Sequence, residues 1–454
     1  MKTLCLAALL FFGAAFFAAS AETSSAAPEE TAMRETISYG TDNEILELLK
    51  KLRTDNIDYL DGDLAGLASR TKNQNIILGI FSFFNERSRE GLKDTALAIL
   101  GGRESETPQK VNAALDYLGT VKEAGAIPVL TEIVSSDDTM YDNAAIKALG
   151  KIVYSEAGGG RPDITEILLD YYNKRSPGGD TRQELVSAIG YSGGPEAAPF
   201  LLKIINSADE SAPLRMAALE AAGRLKDAAA LDSIIASASS ADPNIRFAAI
   251  GALGAFNGDA VDAAILEGFR DTYFKARLAA VRSAKARRLK EAIPYLRYRA
   301  ERDEAAAVRD EAVLALGGLD DEKADAALLA MLEDGKAGDG LRARCAEMLV
   351  KNNAERYTER IIAKLDEAKA KNQTGLYKGL LKALSFAETG KVEALAARLF
   401  ASNDVTEKFY ALDLTANNRF TAFRDEVERL AKDKNSSLSR RAKTTLEKIL
   451  RNEQ

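Results

Sequence analysis

The densest chemistry in this 454-residue chain lies between Lys275 and Arg302. Ten bases, Lys275, Arg277, Arg282, Lys285, Arg287, Arg288, Lys290, Arg297, Arg299 and Arg302, stand there against two acids, Glu291 and Glu301, a local charge of +8. Guanidinium groups grip carboxylates and phosphates through paired hydrogen bonds. Tyrosine beside arginine is also a composition that binding hot spots favour. Tyr295, Arg297, Tyr298, Arg299 and Arg302 supply both types on one helical stretch, and they are the candidate binding residues. The plainer reading is a solvated, ion-paired surface answering acidic neighbours.

Other chemistry is scarce. The chain has no histidine, which removes the commonest general base and the commonest metal ligand. Its two cysteines, Cys5 and Cys345, cannot build the Cys/His zinc patterns. No cofactor or metal is therefore expected, and no catalytic residue is assigned. Ser69-Arg70-Thr71-Lys72 fits a Ser-x-x-Lys pattern without the companion motifs of penicillin-recognising enzymes. Asn372-Gln373-Thr374 fits a glycosylation acceptor, which means little behind a bacterial-looking leader. Glycoside chemistry needs only two carboxylates. The competing function is thus an envelope enzyme or lyase working through carboxylate, lysine or tyrosine groups in a groove, although no Asp/Glu pair stands out.

The amino terminus sets the expected compartment. Lys2, an apolar run from Leu4 to Ala18 and the small residues Ala19-Ser20-Ala21 read as a signal peptide over 1–21. Residues 22–41, rich in Ala, Ser, Thr and Glu, read as a flexible tether. Cleavage would leave a periplasmic chain with no transmembrane segment, one cysteine and no intramolecular disulfide. The formal net charge of −7 becomes −8 without Lys2, so residues outside the basic segment carry −16 (−8 less +8). An acidic exported protein has little reason to bind nucleic acid.

What must position these residues is a repeat. From about Asp42, apolar residues recur three and four apart in segments of helical length, and no strand pattern emerges. A small-apolar-Gly ending recurs at Gly119, Gly150, Gly190, Gly223, Gly254 and Gly317, with Ser283-Ala284-Lys285 holding the same place in a repeat without its glycine. The steps are 31, 40, 33, 31, 31 and 32 residues. Each ending is expected to close a first helix, its glycine taking the left-handed conformation that turns the chain. Second helices open near Ala126-Ile127-Pro128, Ala198-Pro199 and Ala292-Ile293-Pro294. The 40-residue step places an insertion near 156–161, expected as an edge loop.

A basic ladder keeps the same register: Arg182, Arg215, Arg246, Arg277, Arg309 and Arg342, continued by Lys378, Lys408 and Arg440. Acids recur just upstream at Asp209, Asp242, Asp271, Asp303 and Asp404. The pattern predicts Arg-to-acid contacts that tie each repeat to the next, with some carboxylates capping helix starts. Arg299 aligns with Ile133 and Ile204, a usually buried position, and Glu267 one repeat earlier is its expected ion-pair partner. Cys345 aligns with Ala218, Ala249, Ala280 and Ala312 and is expected to be a packing residue.

Asp242-Pro243-Asn244-Ile245-Arg246-Phe247-Ala248-Ala249-Ile250-Gly251-Ala252-Leu253-Gly254 resembles the short bacterial HEAT-like repeat, the type also found in bilin lyases, and Val308–Gly317 is similar. The resemblance is clear over 106–350, looser over 351–454 with a closing helix, and degenerate over 42–105, which would cap the array. It implies an all-α fold, an α-solenoid or superhelix of about twelve antiparallel helix pairs whose second helices line the concave side. It also implies a class of scaffolds and adaptors. The di-iron hydroxylases of this fold need His-Glu motifs that are absent here, and DNA glycosylases of related architecture are basic and intracellular. The expected function is a monomeric, non-catalytic scaffold of the bacterial cell envelope. It would bind an unidentified envelope protein through its concave face, with the 275–302 patch suited to an acidic protein or an anionic envelope polymer.

Overall fold

The computed structural model describes residues 28–450 apart from 56, 58, 137, 138 and 154–159. Among the described residues the chain is all α-helical with no strand, in 25 α-helices and a few short 3-10 turns. It divides into two compact units at Ala126/Ile127. None of the described helices is long and apolar enough to cross a membrane. The signal-peptide assignment (1–21, including Cys5), residues 22–27, most of the 156–161 insertion and residues 451–454 lie outside the described residues.

The first unit departs from expectation at its start. Residues 28–39 of the expected tether form a helix, Pro28–Tyr39. Its Met33 and Ile37 are buried, and Arg34 ion-pairs with Asp63 and Glu30. Two apolar residues four apart sufficed, hidden in a polar composition. The helices Asp42–Asp55, Gln74–Asn85 and Pro108–Thr120 then bury Leu52, Ile80, Phe84 and Leu115. Phe81 meets Tyr117 edge-on with ring centres 5.6 Å apart. The Tyr117 hydroxyl donates to the Arg89 carbonyl and accepts from the Leu92 N–H, so its polar end is satisfied at full burial.

The second unit alternates first and second helices. Its first helices include Gly179–Ser192, Ala212–Leu225, Pro243–Leu253, Phe274–Ala286 and Ala306–Gly317. Between them come second helices such as Ala197–Asn206, Leu231–Ser237, Asp259–Gly268, Ile293–Arg302 and Glu322–Glu333. Several second helices open from a 3-10 turn, and Pro294 sits in the first turn where its missing N–H costs nothing. The long helical segment Asp339–Ala370 is itself a pair, broken at Asn353, whose φ of −157° and ψ of 84° are not helical.

The endings do a different job from the expected one. Gly119, Gly150, Gly190 and Gly223 lie inside first helices, and Gly254 has φ −57°. The left-handed turn comes three residues later, at Lys122, Gly193, Lys226, Arg288 and Asp320. The endings are small because first helices of successive repeats cross there. A Cβ on Gly223 would fall 2.8 Å from the Ala252 Cβ, one on Gly254 2.9 Å from the Ser283 Oγ, and one on Gly317 2.9 Å from the Met348 Sδ. Gly150 and Gly190 meet Ala188 and Ala221 in the same way. Gly150, Gly190, Gly223 and Gly254 therefore each receive the first residue of the next ending, and the motif fits itself.

Cys345 is fully buried with its thiol pushed up to about 12, chiefly by burial, with nearby Glu301 adding to the shift. Ala218, Ala249, Ala280 and Ala312, its equivalents, are also fully buried. A thiol held protonated is a packing group and a poor nucleophile. Of the 156–161 insertion, Arg161 is described; its guanidinium pairs with Asp163 at 2.8 Å.

Candidate functional site

The basic ladder resolves into joints of two kinds. In the complete joint, an arginine of one first helix reaches the loop ahead of the next. The Arg246 Nε and NH2 donate to the two carboxylate oxygens of Asp271 at 2.7 and 2.9 Å. The Arg277 Nε and NH2 meet Asp303 at 2.7 and 2.8 Å. In both, NH1 turns back to the loop carbonyls ahead of its own helix, Ser240 and Ala241 for Arg246, Asp271 and Thr272 for Arg277. The same aspartates accept a backbone N–H, Asp271 from Tyr273 and Asp303 from Ala305. Arg182 follows a variant of this pattern, pairing with Glu210 at 2.6 Å and with the Tyr172 hydroxyl.

In the two complete joints the receiving acid stands six residues ahead of the next ladder residue, Asp271 ahead of Arg277 and Asp303 ahead of Arg309, and in the Arg182 variant Glu210 stands five ahead of Arg215. That place is Ser240 for Arg215, Lys336 for Arg309 and Asn372 for Arg342. Among the described residues those three arginines meet no carboxylate. Arg215 and Arg342 donate Nε to the carbonyls of Ile205 and Leu332, at 3.1 and 2.9 Å. The NH1 of Arg309 donates to the carbonyls of Asp303 and Glu304, at 2.7 and 3.0 Å. Asp242 and Asp404 are not rungs but helix caps, accepting from Asn244 and Thr406 at 2.8 and 2.7 Å.

The Arg277–Asp303 joint is the most deeply placed, with the carboxylate side chain fully covered and the guanidinium 5 % exposed. Burial disfavours the charge on Asp303. The Arg277 guanidinium and the Ala305 N–H outweigh it and hold the carboxyl below the usual carboxylate range. The Asp303 hydrogen bond, against a smaller burial effect, raises Arg277 further.

Most of the +8 segment is neutralised at home. Arg287 pairs with Asp262, Lys285 and Arg282 with Glu311, Lys290 with Asp321 and Arg297 with Glu301. Arg299 departs from the expected pair. Its Nε donates to the Phe269 carbonyl at 2.8 Å and NH1 reaches Asp303 at 3.3 Å, while Glu267 pairs instead with Arg270. Asp303 lies one turn along on the same helix side, nearer than a residue of the preceding repeat. Tyr295 is half-buried, tilted on Phe269 with ring centres 5.5 Å apart.

Three bases of the segment, Lys275, Arg288 and Arg302, meet no carboxylate among the described residues. Arg302 lies beside Tyr298, 5.8 Å from its ring centre, and Tyr298 is 52 % exposed. Tyr298, Arg297, Arg302 and Lys323 border a hollow of about 640 Å³ between the second helices Ile293–Arg302 and Glu322–Glu333, floored by Ile293, Pro294 and Ala327. Of the five candidates, the structure brings Arg297, Tyr298 and Arg302 to one open site and commits Arg299 and Tyr295 to packing.

A larger hollow, about 1070 Å³, was not legible in the sequence. It crosses three first helices and is lined by Glu184, Met216, Glu220, Arg224 and Phe247 among others. Its signal was faint: glycine and alanine where a repeat face would carry larger groups, as at Gly251 and Ala248. The Ser69 hydroxyl donates to the Gly66 carbonyl at 2.9 Å, and among the described residues no hydrogen bond joins it to Lys72. Among the described residues no group of three or more Cys, Asp or Glu side chains is placed to hold a metal ion.

Stacked helix pairs tied by an arginine ladder and by small endings define a HEAT-repeat α-solenoid. The chain belongs to the spirochaete HEAT repeat protein family, whose model matches residues 37–445. No curated protein matches it. Among solved structures it is similar to the Kap95:Nup1 complex, with TM-score 0.54, 12 % identity and coverage of 94 % of this chain and 67 % of that one. It is also similar to Kap95p bound to RanGDP (TM-score 0.45, 12 % identity, 93 % and 72 %) and to Kap121p (0.43, 12 %, 93 % and 53 %). The chain spans about half the length of Kap121p, 53 %. At such identities the likeness shows the fold alone.

Proposed function

We propose that this protein is a non-catalytic interaction scaffold of the bacterial cell envelope, monomeric, that docks an acidic segment of a partner protein on its second-helix face around Tyr298. The observation that carries the reading is an exposed tyrosine beside a hollow whose rim holds Arg302 and Lys323 with no carboxylate of their own among the described residues. A rigid aromatic with arginine at a hollow is what binding hot spots use, and the cationic rim steers acidic partners. The fold supports the class, since HEAT solenoids are typically interaction scaffolds. The leader-like start at 1–21 supports the compartment.

The test places a photo-crosslinking residue at position 298 of the full chain and irradiates intact cells. The expected result is a discrete protein adduct that disappears when Arg302 and Lys323 are both changed to alanine, with helicity by circular dichroism unchanged. An adduct indifferent to those charges, or none at all, contradicts the reading.

A further inference from the structure

Arg309 is held like its neighbours but opposite a different residue. Its NH1 takes the two loop carbonyls ahead of its helix, as NH1 of Arg246 and Arg277 do. That contact fixes the fork of Nε and NH2 toward the loop of the next repeat, the edge that grips Asp271 and Asp303 in the complete joints. In the Arg309 joint the loop is longer: Asp334 ends the second helix as Asp303 does and accepts the Lys336 N–H at 2.9 Å, but it stands eight residues ahead of Arg342. Lys336 takes the place six ahead, and the fork meets no acceptor among the described residues. The space there is a hollow of about 350 Å³, lined by Glu301, Arg309, Asp310, Gly338, Leu341 and Arg344 among others. The two acids of that lining are already paired, Glu301 with Arg297 and Asp310 with Arg344. The Arg309 charge is the one left over, with Lys336 adding a second base in the adjoining loop.

We infer that Arg309 receives a carboxylate from outside the chain, seated in this hollow where the neighbouring joints carry their own aspartate. The ligand is a planar carboxylate, because the fork is presented in the bidentate geometry that the two complete joints use for one. Its source is an acidic side chain of a bound polypeptide or a free small carboxylate. The inference does not need the Tyr298 reading. Glu301 borders both hollows, so an acidic segment lying at Tyr298 would also pass this one.

The test titrates the full chain with fluorescent hexaglutamate at low salt and follows anisotropy. Lys336→Asp supplies the internal acid and is expected to weaken binding roughly tenfold while raising the melting temperature. Arg309→Gln should weaken it as much. Lys432→Asp makes the same change of charge on a distant exposed loop and should change affinity less than twofold. Equal weakening by Lys336→Asp and Lys432→Asp would reduce the effect to bulk charge and overturn the site, as would unaltered binding by Lys336→Asp. Free glutarate that displaces the peptide at equal carboxylate concentration identifies a small carboxylate as sufficient, and failure to displace identifies a polypeptide. Either result holds only if the Lys336→Asp chain loses the same binding. The ratio between wild type and Lys336→Asp should survive in a Tyr298→Ala background, so this inference and the partner reading fail separately.

Discussion

Two consecutive joints of the solenoid, at Arg277 and at Arg309, use the same arginine in the same place and reach different ends. At Arg277 the next repeat supplies Asp303, both partners lose their water, and the fork closes on a carboxylate that also caps the following turn. At Arg309 the next repeat supplies Lys336, the backbone contacts persist, and the fork faces an open hollow. The arginine is thus a fixed fitting whose role is decided one repeat away. Nearest-neighbour coupling of this kind lets stability and binding vary repeat by repeat along one array.

The comparison breaks most severely at Asp303. Asp303→Ala leaves the covered Arg277 guanidinium with only the exposed Glu304 as a carboxylate partner and should cost about 3–5 kcal/mol in chemical denaturation. The matching change Lys336→Ala should be close to neutral. A small loss at Asp303 would mean that the complete joint is no tighter than the open one.

Acid applies the same stress without mutation. Asp303 and Asp271 are held below the usual carboxylate range when folded. Their stabilising contribution is therefore full above the unfolded value near ~4 and is lost as pH falls through the lower folded value. Melting temperature should fall below about pH 4, and by less in a chain carrying Asp303→Asn. Identical acid profiles for the two chains would remove Asp303 from the effect.

The small endings give a third, smaller contrast. Gly223→Ala pushes a methyl against the Ala252 Cβ and Cα, at 2.8 and 2.9 Å, and should destabilise by about 1–3 kcal/mol. At Gly251, where a Cβ meets nothing within 4 Å, the same change should stabilise slightly, by up to about 1 kcal/mol, through helix propensity. Opposite signs at two glycines on neighbouring first helices, read by thermal melts, separate the crossing role from a turn role.

Repetition made the architecture legible in the chain itself. The ladder from Arg182 to Arg342 and the endings from Gly119 to Gly317 set the helix register before any coordinates. What stayed hidden was distance across a joint. Acids at Asp242 and Asp271 look alike in sequence, yet one caps its own helix and the other receives the previous repeat, a difference of two residues in loop register. Glycine type showed that space was short but not whether a turn or a crossing helix filled it. The Pro28–Tyr39 helix was masked by its polar composition, and Arg299 pairs with Asp303 just past the end of its own helix and not with Glu267 one repeat back. Of the candidate site, composition found Tyr298 and Arg302, and only burial separated them from Tyr295 and Arg299.

The central claim is that a ladder arginine ties two repeats only when the following loop offers an acid five or six residues ahead of its own ladder residue. A thermodynamic cycle between positions 309 and 336 measures this most directly. Lys336→Asp should stabilise the full chain by about 1 kcal/mol with Arg309 present, and by markedly less in an Arg309→Gln background, a coupling of at least ~0.5 kcal/mol. Equal stabilisation in both backgrounds would show that the new acid works as a cap alone, and the ladder would not be the joint described.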